Sequence, residues 1–238
     1  MNLTFRKNTS AAGVNSSTVP TLGTGAGPNP SAALHALRIL PVPLLLAKKV
    51  LEHEHYLHSM PGGTMLTFGV YLKSRLMGAI SFGAGPAQAF NLLKEAKRED
   101  CLTLTRLWLS DDLPRNSESH VLGFMLRSLR LHTSVKFLVS YADPSQGHLG
   151  IIYQATGWLY SGLSSAMPLY DLGDGVPRHS RSVAHSVGSH SLHYLARHGV
   201  KVTQIPQAAK HCYIYLLDAS LKDRLKAPIL PYPKKEEI

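Results

Sequence analysis

Two rhythms of apolar and polar residues alternate between Leu102 and Ser161, and the rest of the chain is arranged around them. Leu102-Thr-Leu-Thr-Arg-Leu-Trp-Leu-Ser110 repeats with period two, which predicts a half-buried strand. After the polar loop Asp111–Ser119, Leu122, Met125, Leu126 and Leu129 fall at i, i+3, i+4 and i+7, the spacing of one apolar helical face. Val135–Tyr141 is a second predicted strand, and Ala142-Asp-Pro-Ser145 breaks it. A short helix from Gly147 to Thr156 follows, with Gly157 as a left-handed cap and a strand running on to Ser161.

Upstream, apolar density rises from Leu34, and Ile39-Leu-Pro-Val-Pro-Leu-Leu-Leu leads into a helix expected to reach Leu57, with Pro43 in its first turn. Thr64–Val70 and Leu76–Phe82, joined across Lys73-Ser-Arg75, read as a hairpin. Ala87–Lys97 reads as a short amphipathic helix and Lys210–Leu217 as a closing strand. The expected fold class is α/β (α+β), a mixed central sheet flanked by helices. Residues 1–30, rich in Ser, Thr, Gly, Asn and Pro, read as a disordered arm. The main domain is expected over 31–218, with 172–200 as a basic insertion rich in His and Ser. Residues 219–238 read as a loosely held tail.

Composition narrows the partners. A net charge of +10 and a pI near 9.7 suit a polyanion, because cations near phosphates release condensed counterions. A basic protein kept soluble by its charge has the same composition. No apolar run reaches the ~20 residues of a membrane span, since Pro41, Pro43, Lys48 and Lys49 interrupt the nearest one. Cys101 and Cys212 are too few for a disulfide framework or a zinc site. The start of the chain lacks the pattern of a secretory leader, so the expected location is cytoplasmic.

In an α/β sheet, loops beyond strand ends face the ligand crevice. This places Arg115, Asn116, Ser117 and Ser119 on one candidate loop, and Ser140, Tyr141 and Asp143 on the next. The serines could equally cap the following helix, and Asp143 before Pro144 is also a common turn. His53-Glu-His-Tyr-Leu-His58 is not the zinc-protease motif, because residue 57 is leucine. It reads either as a helix end favourable to the dipole or as the border of a pocket. Gly83-Ala-Gly-Pro86 lacks a phosphate-loop frame and reads as a turn. Arg178-His-Ser-Arg181 opens a stretch dense in Arg, His and Ser up to His198. That stretch suits phosphate contacts or a mobile surface insertion; its scattered histidines are weak metal ligands.

The order helix, hairpin, strand–loop–helix, strand–helix, strand resembles the GNAT acyltransferase fold. Arg115-Asn-Ser-Glu-Ser-His120 stands where that family carries its pyrophosphate loop; the leading arginine is kept and both glycines are replaced. More specifically, Leu104–Ser119, Val139-Ser-Tyr-Ala-Asp-Pro144, Gly147-His148, Ile152-Tyr-Gln-Ala-Thr-Gly157 and Lys210-His-Cys-Tyr-Ile-Tyr215 resemble the Mom DNA-modification proteins of Mu-like phages. The resemblance implies addition of a carbamoylmethyl (acetamido) group to the exocyclic amine of adenine in DNA, shielding phage DNA from host restriction. It implies catalytic roles for Asp143, Tyr153, His55 and Tyr56, and a donor site at Arg115, Asn116, Ser117 and Ser119. The donor would be acyl-CoA or another activated acyl or aminoacyl carrier, and iron has been proposed for such proteins. Arg178, Arg181 and Lys210 are the expected DNA contacts. The alternatives are a GNAT acyltransferase acting on a protein or small amine, and a non-catalytic DNA-binding protein of this fold.

Overall fold

A computed structural model describes residues 30–234; the expected N-terminal arm, save its last residue, and the final four residues of the tail lie outside the described residues. In chain order the elements are α1 (Pro30–His35), β1 (Leu37–Pro41), α2 (Leu44–Glu54), β2 (Thr64–Leu72), β3 (Arg75–Gly83), β4 (Cys101–Leu109), α3 (Ser117–His132), β5 (Phe137–Ala142) and α4 (Ile151–Ala155). There follow β6 (Leu159–Leu163), β7 (Leu169–Asp171), α5 (Ser180–Val187), α6 (Leu192–Arg197), β8 (Thr203–Ile205) and β9 (His211–Leu216). The main sheet has the order β1-β2-β3-β4-β5-β9-β6, and β7 and β8 form a separate antiparallel pair. β1 to β4 are antiparallel neighbours, whereas β4 and β5 run parallel with Cys101 opposite Phe137. The expected mixed sheet flanked by helices is therefore what the chain forms.

The chain divides into two compact units. The first comprises the described residues up to Ser140, with Ile152–Leu159 and Ile214–Pro228; the second comprises Tyr141–Ile151, Tyr160–Tyr213 and the described residues from Ile229.

In the first unit, α3 buries Val121, Leu122, Met125, Leu126 and Leu129, the face that the spacing predicts plus one valine. Each such side chain contributes about 1.5–3 kcal/mol on leaving water. Val70, Met77, Leu109, Leu113 and Val121 form one core cluster, and Ala47, Leu51 and Ala79 another. Trp158 is fully buried, its ring 5.1 Å from Tyr153 and 5.7 Å from Tyr215.

Several elements differ from the sequence expectation for local reasons. Pro43 precedes the first residue of α2, and α2 stops at Glu54. There the Leu57 N–H turns back to His55 Nδ1 and the His58 N–H to the His55 carbonyl. A side chain that accepts a main-chain amide competes with the helix ladder. Ala87–Lys97 is not a helix: short 3-10 turns at Ala89–Leu92 and Arg98–Asp100 replace it. Its amides bond elsewhere, Lys94 N–H to the Arg224 carbonyl. The helix expected from Gly147 shrinks to Ile151–Ala155, because Gly147 and Gly150 are both left-handed, with φ of 70° and 74°. β1 was hidden in the apolar run before α2; its Pro41 sits on an edge strand, where proline is tolerated.

In the second unit, the 172–200 stretch is packed rather than loose. β7, α5, α6 and β8 surround Tyr170, Val183 and Leu195. The tail is also tied, with the Leu230 N–H donating to the Tyr160 carbonyl at 2.9 Å.

Candidate functional site

Asp143 follows β5 directly and is almost fully buried, at 5% exposure. Its Oδ1 accepts the Ser145 N–H at 3.0 Å and the Ser145 hydroxyl at 2.6 Å. Lys210 Nζ stands 3.0 Å from Oδ2. The Asp143 carbonyl accepts the N–H groups of Gln146 and His148, which closes the turn. Asp143 shapes the turn that begins at Pro144, and its carboxylate is held in the ionised form. Burial pushes its pKa up, but the Ser145 hydroxyl, the Lys210 ammonium and the Ser145 amide together outweigh burial and hold it below the usual carboxylate value.

The same unit holds a second polar pair. The Tyr160 hydroxyl lies 2.9 Å from His211 Nδ1, and the two rings are tilted neighbours. Burial lowers the His211 pKa and raises that of Tyr160. Cys212 is buried, and its thiol is pushed up to about 11 despite a hydrogen bond with Tyr141. A thiol so protonated is no nucleophile at neutral pH. The Tyr213 hydroxyl donates to the Leu149 carbonyl, anchoring the segment before α4.

In the first unit, the Ser140 hydroxyl reaches two acceptors, Tyr153 Oη at 2.8 Å and the Leu104 carbonyl at 3.1 Å. Tyr153 is 9% exposed and also packs on Trp158, so its ring fills core while its hydroxyl is held by a defined partner.

His55 is 7% exposed and stacks on Tyr56 with ring centroids 4.4 Å apart. Because His55 Nδ1 accepts the Leu57 N–H, its neutral form carries the proton on Nε2. Tyr56 is 39% exposed. The residue that sequence reasoning missed here is Arg106, on β4. Its Nε and NH2 groups donate to the Ser59 carbonyl and hydroxyl at 3.0 and 3.3 Å, and NH1 donates to the Thr105 carbonyl at 2.7 Å. Burial lowers the Arg106 pKa, opposed by Tyr56. A single charged residue in an alternating strand was the only signal available for it. Next to it, Ser81 and Thr105 share a hydroxyl contact of 2.9 Å.

The loop before α3 arranges its side chains differently from the expectation. Asn116 adopts a left-handed conformation, φ 69°, and makes no side-chain cap. The Ser117 hydroxyl donates to the Pro114 carbonyl at 2.6 Å, and Ser117 is buried. The Ser119 hydroxyl donates to the Asn116 carbonyl at 3.1 Å. Ser117 is turned inward, whereas the Ser119 hydroxyl stays at the surface. An anion would meet the first-turn amides of a 16-residue helix and the exposed Arg115, opposed by Glu118 in that same turn. In that first turn the Ser117 amide already donates to the Pro114 carbonyl at 3.2 Å.

The expected DNA contacts fall unequally. Lys210 is engaged with Asp143. Arg178 is held by both carboxylate oxygens of Asp174 and by the Val176 carbonyl. The side chain of Arg181 lies outside what is described. Among the described residues no group of three or more His, Cys, Asp or Glu side chains could hold a metal ion, so iron has no ligand set there. No helix among them is long and apolar enough to cross a membrane.

Comparison with known proteins follows the same lines. Residues 36–234 match the model of the Mom protein family. Over 205 residues the chain is 29% identical to the methylcarbamoylase mom of Escherichia phage Mu, covering 83% of this chain and 84% of that one. Among solved structures it is similar to an N-acetyltransferase from Staphylococcus aureus Mu50, with 11% identity, a TM-score of 0.42, and 76% and 97% of the two chains covered. A GNAT family acetyltransferase from Elizabethkingia anophelis with acetyl-CoA bound gives 10% identity, a TM-score of 0.42, and 76% and 98% coverage.

Proposed function

The chain belongs to the Mom protein family, and we propose that it is a group transferase that adds a carbamoylmethyl (acetamido) group to the exocyclic amine of adenine in DNA. The observation that carries this reading is the buried Asp143 carboxylate, kept ionised by Lys210 and Ser145, in a chain matched to the family along most of its length. The phage Mu relative is a methylcarbamoylase, which supports the group transferred. Protection of phage DNA from restriction is the proposed consequence.

The chemistry sets the requirements. The adenine amine is a weak nucleophile because its lone pair is delocalised into the ring. Attack forms a nitrogen–carbon bond, breaks the bond from that carbon to its leaving group, and releases one amine proton. Asp143 is the proposed acceptor for that N–H, where an ionised carboxylate is most useful. Its lowered pKa makes it a weak base, which accepts the proton only once the attacking nitrogen has become cationic and its N–H acidic. Tyr153, its hydroxyl positioned by Ser140, is the proposed donor toward the leaving group.

Tyr56 stacked on His55 offers an aromatic surface to an unstacked base. An amine inside a duplex is paired and stacked, so the base is expected to be extruded or taken from an open strand. An acyl carrier such as acyl-CoA, attacked at its carbonyl carbon, would give an N-acyl adenine. The carbamoylmethyl product needs the bound carrier to present the methylene carbon of an acetamido group, with the leaving group on that carbon. Arg115 and the N-terminal amides of α3 would hold the carrier's phosphates, with Asn116, Ser117 and Ser119 shaping the turn.

The test is a nucleoside digest. Plasmid DNA from a bacterium making the protein should yield a mass-shifted deoxyadenosine, lost in Asp143→Asn. Ordinary deoxynucleosides alone, from cells rich in folded protein, would overturn the reading. Acetyl-CoA turnover without DNA would favour an acyltransferase acting on another amine.

A further inference from the structure

We propose that the small layer β7–α5–α6–β8 is the surface that holds the sugar-phosphate backbone of duplex DNA, through Arg197, Lys201 and the exposed histidines of α5 and α6. The proposal rests on DNA being the substrate, as argued above, and assigns the grip to a part of the fold separate from the chemistry.

The charge distribution comes first. From Gly175 to Leu217 the chain contains no Asp or Glu, yet it contains Arg178, Arg181, Arg197, Lys201 and Lys210, half of the net charge of +10. The carboxylates that border this stretch are turned to internal partners. Asp171 Oδ1 accepts the N–H groups of Gly173, Asp174 and Gly175 at 2.9, 3.1 and 3.0 Å. Asp174 is paired with Arg178. The carboxylates next to this stretch are thus already bonded, Asp174 to a cation of the stretch itself.

The structure then separates engaged cations from available ones. Arg178 and Lys210 are neutralised by Asp174 and Asp143. Arg197 and Lys201 are exposed, and among the described residues neither has a carboxylate partner. His193 and Arg197 lie four residues apart on α6, hence on one helical face, and both are exposed. His185 and His190 are exposed as well, with Ser182 and Ser191 adding hydroxyl donors. Imidazole, hydroxyl, guanidinium and ammonium groups are the donors that phosphate oxygens accept from.

The layer is also stiff enough to present them. Its own core of Tyr170, Val183 and Leu195 turns the apolar faces of α5 and α6 inward and leaves the polar faces outward. It belongs to the same compact unit as Asp143.

The experiment compares two doubly substituted full-length proteins on a fluorescently labelled DNA duplex across a salt series. Arg197→Gln with Lys201→Gln removes two phosphate contacts. Lys49→Gln with Lys222→Gln removes the same charge from exposed positions in the other unit. The first pair should lower the magnitude of the logarithmic salt slope by about 2, since each phosphate contact contributes about 0.9. Its dissociation constant at fixed salt should rise on the order of tenfold. The second pair should change neither by a comparable amount.

Equal effects of the two pairs would reduce the inference to net charge and overturn it. A loss of affinity for an RNA duplex but not for DNA would overturn it too. If the first pair binds like the native chain while the digest still shows modified deoxyadenosine, the grip lies elsewhere and the transferase reading stands. If the digest shows none while the first pair still loses affinity, the surface stands and the chemistry falls.

Discussion

The ammonium of Lys210 and the carboxylate of Asp143 form an ion pair of which the acid retains only 7% of its side-chain exposure and the base 24%. The pair contributes to stability as well as to the proposed chemistry, and its pH dependence has a definite sign. The folded-state pKa of Asp143 is lowered, so its stabilisation is present above the unfolded value of about 3.9 and fades as pH falls through the folded value. Lys210→Met leaves the carboxylate buried against Ser145 alone. The expected cost is about 2 kcal/mol at neutral pH, below the ~3–5 kcal/mol of a fully enclosed pair because Lys210 is partly wet. Urea unfolding should show the gap between the two proteins closing below about pH 4. A gap that stays constant would remove the ion pair as its source.

His211 titrates in a different window. Burial holds its imidazole below the ordinary value. A histidine with a lowered folded pKa stabilises the fold above the unfolded value of about 6.5, and this is lost as pH falls below it. His120, lowered by burial and by His35 and Arg127, has the same sign. Native protein should therefore lose stability on mild acidification, well before Asp143 is protonated. His211→Gln, which keeps a polar group near Tyr160, should flatten part of that slope in a pH series of thermal melts.

Arg106 ties β4 to the chain beyond α2 through Ser59. Arg106→Met should cost about 1–2 kcal/mol, because the part-buried Thr105 carbonyl and the exposed Ser59 carbonyl lose a charged donor. Hydrogen exchange of the Tyr56–Ser59 amides should accelerate more than that of β4 itself. Arg106→Lys should not restore protection, since a single ammonium cannot reproduce the planar fork. Uniform acceleration across the sheet would mean that the arginine acts on global stability alone.

Two glycine substitutions should differ in kind. A Cβ at Gly78 would sit 2.5 Å from the Trp108 carbonyl oxygen, with Leu109 also too close. Gly78→Ala must push β3 from β4 and should cost about 2–3 kcal/mol. Gly147 has open space around it but a φ of 70°, so Gly147→Ala should cost only about 1 kcal/mol, from backbone strain. Chemical denaturation of the two variants measures the difference.

Period-two and period-3.6 patterns revealed β4, α3 and β5 because each buries one face against its neighbours within a short span. The same logic failed where hydrogen bonds reach far along the chain. Leu93 bridges to Leu225, so the stretch expected as a helix after Ala87 opens into turns. β7 and β8, each three residues long, are too short to show a period. Tyr153 entered only through the family motif, whereas Asp143 was also read from its place beyond a strand end and His55 and Tyr56 from their helix end. Their spacing in sequence says nothing about Lys210, Ser140 or Arg106, which hold three of the four in place or flank them. Lys210 in particular reads as a surface cation until its partner, 67 residues upstream by number, is seen beside it.

The closed loop between β7 and α5 bears on how the chain will be cut. Tyr170 and Arg178 exchange two main-chain hydrogen bonds, of 2.8 and 2.9 Å, and the residues between them fold around Asp171 and Asp174. A protease must pull its substrate into an extended strand, and here that means dismantling the whole latch. Trypsin should thus nick the native protein after Arg197 or Lys201, on the open connection to β8, long before it cleaves after Arg178.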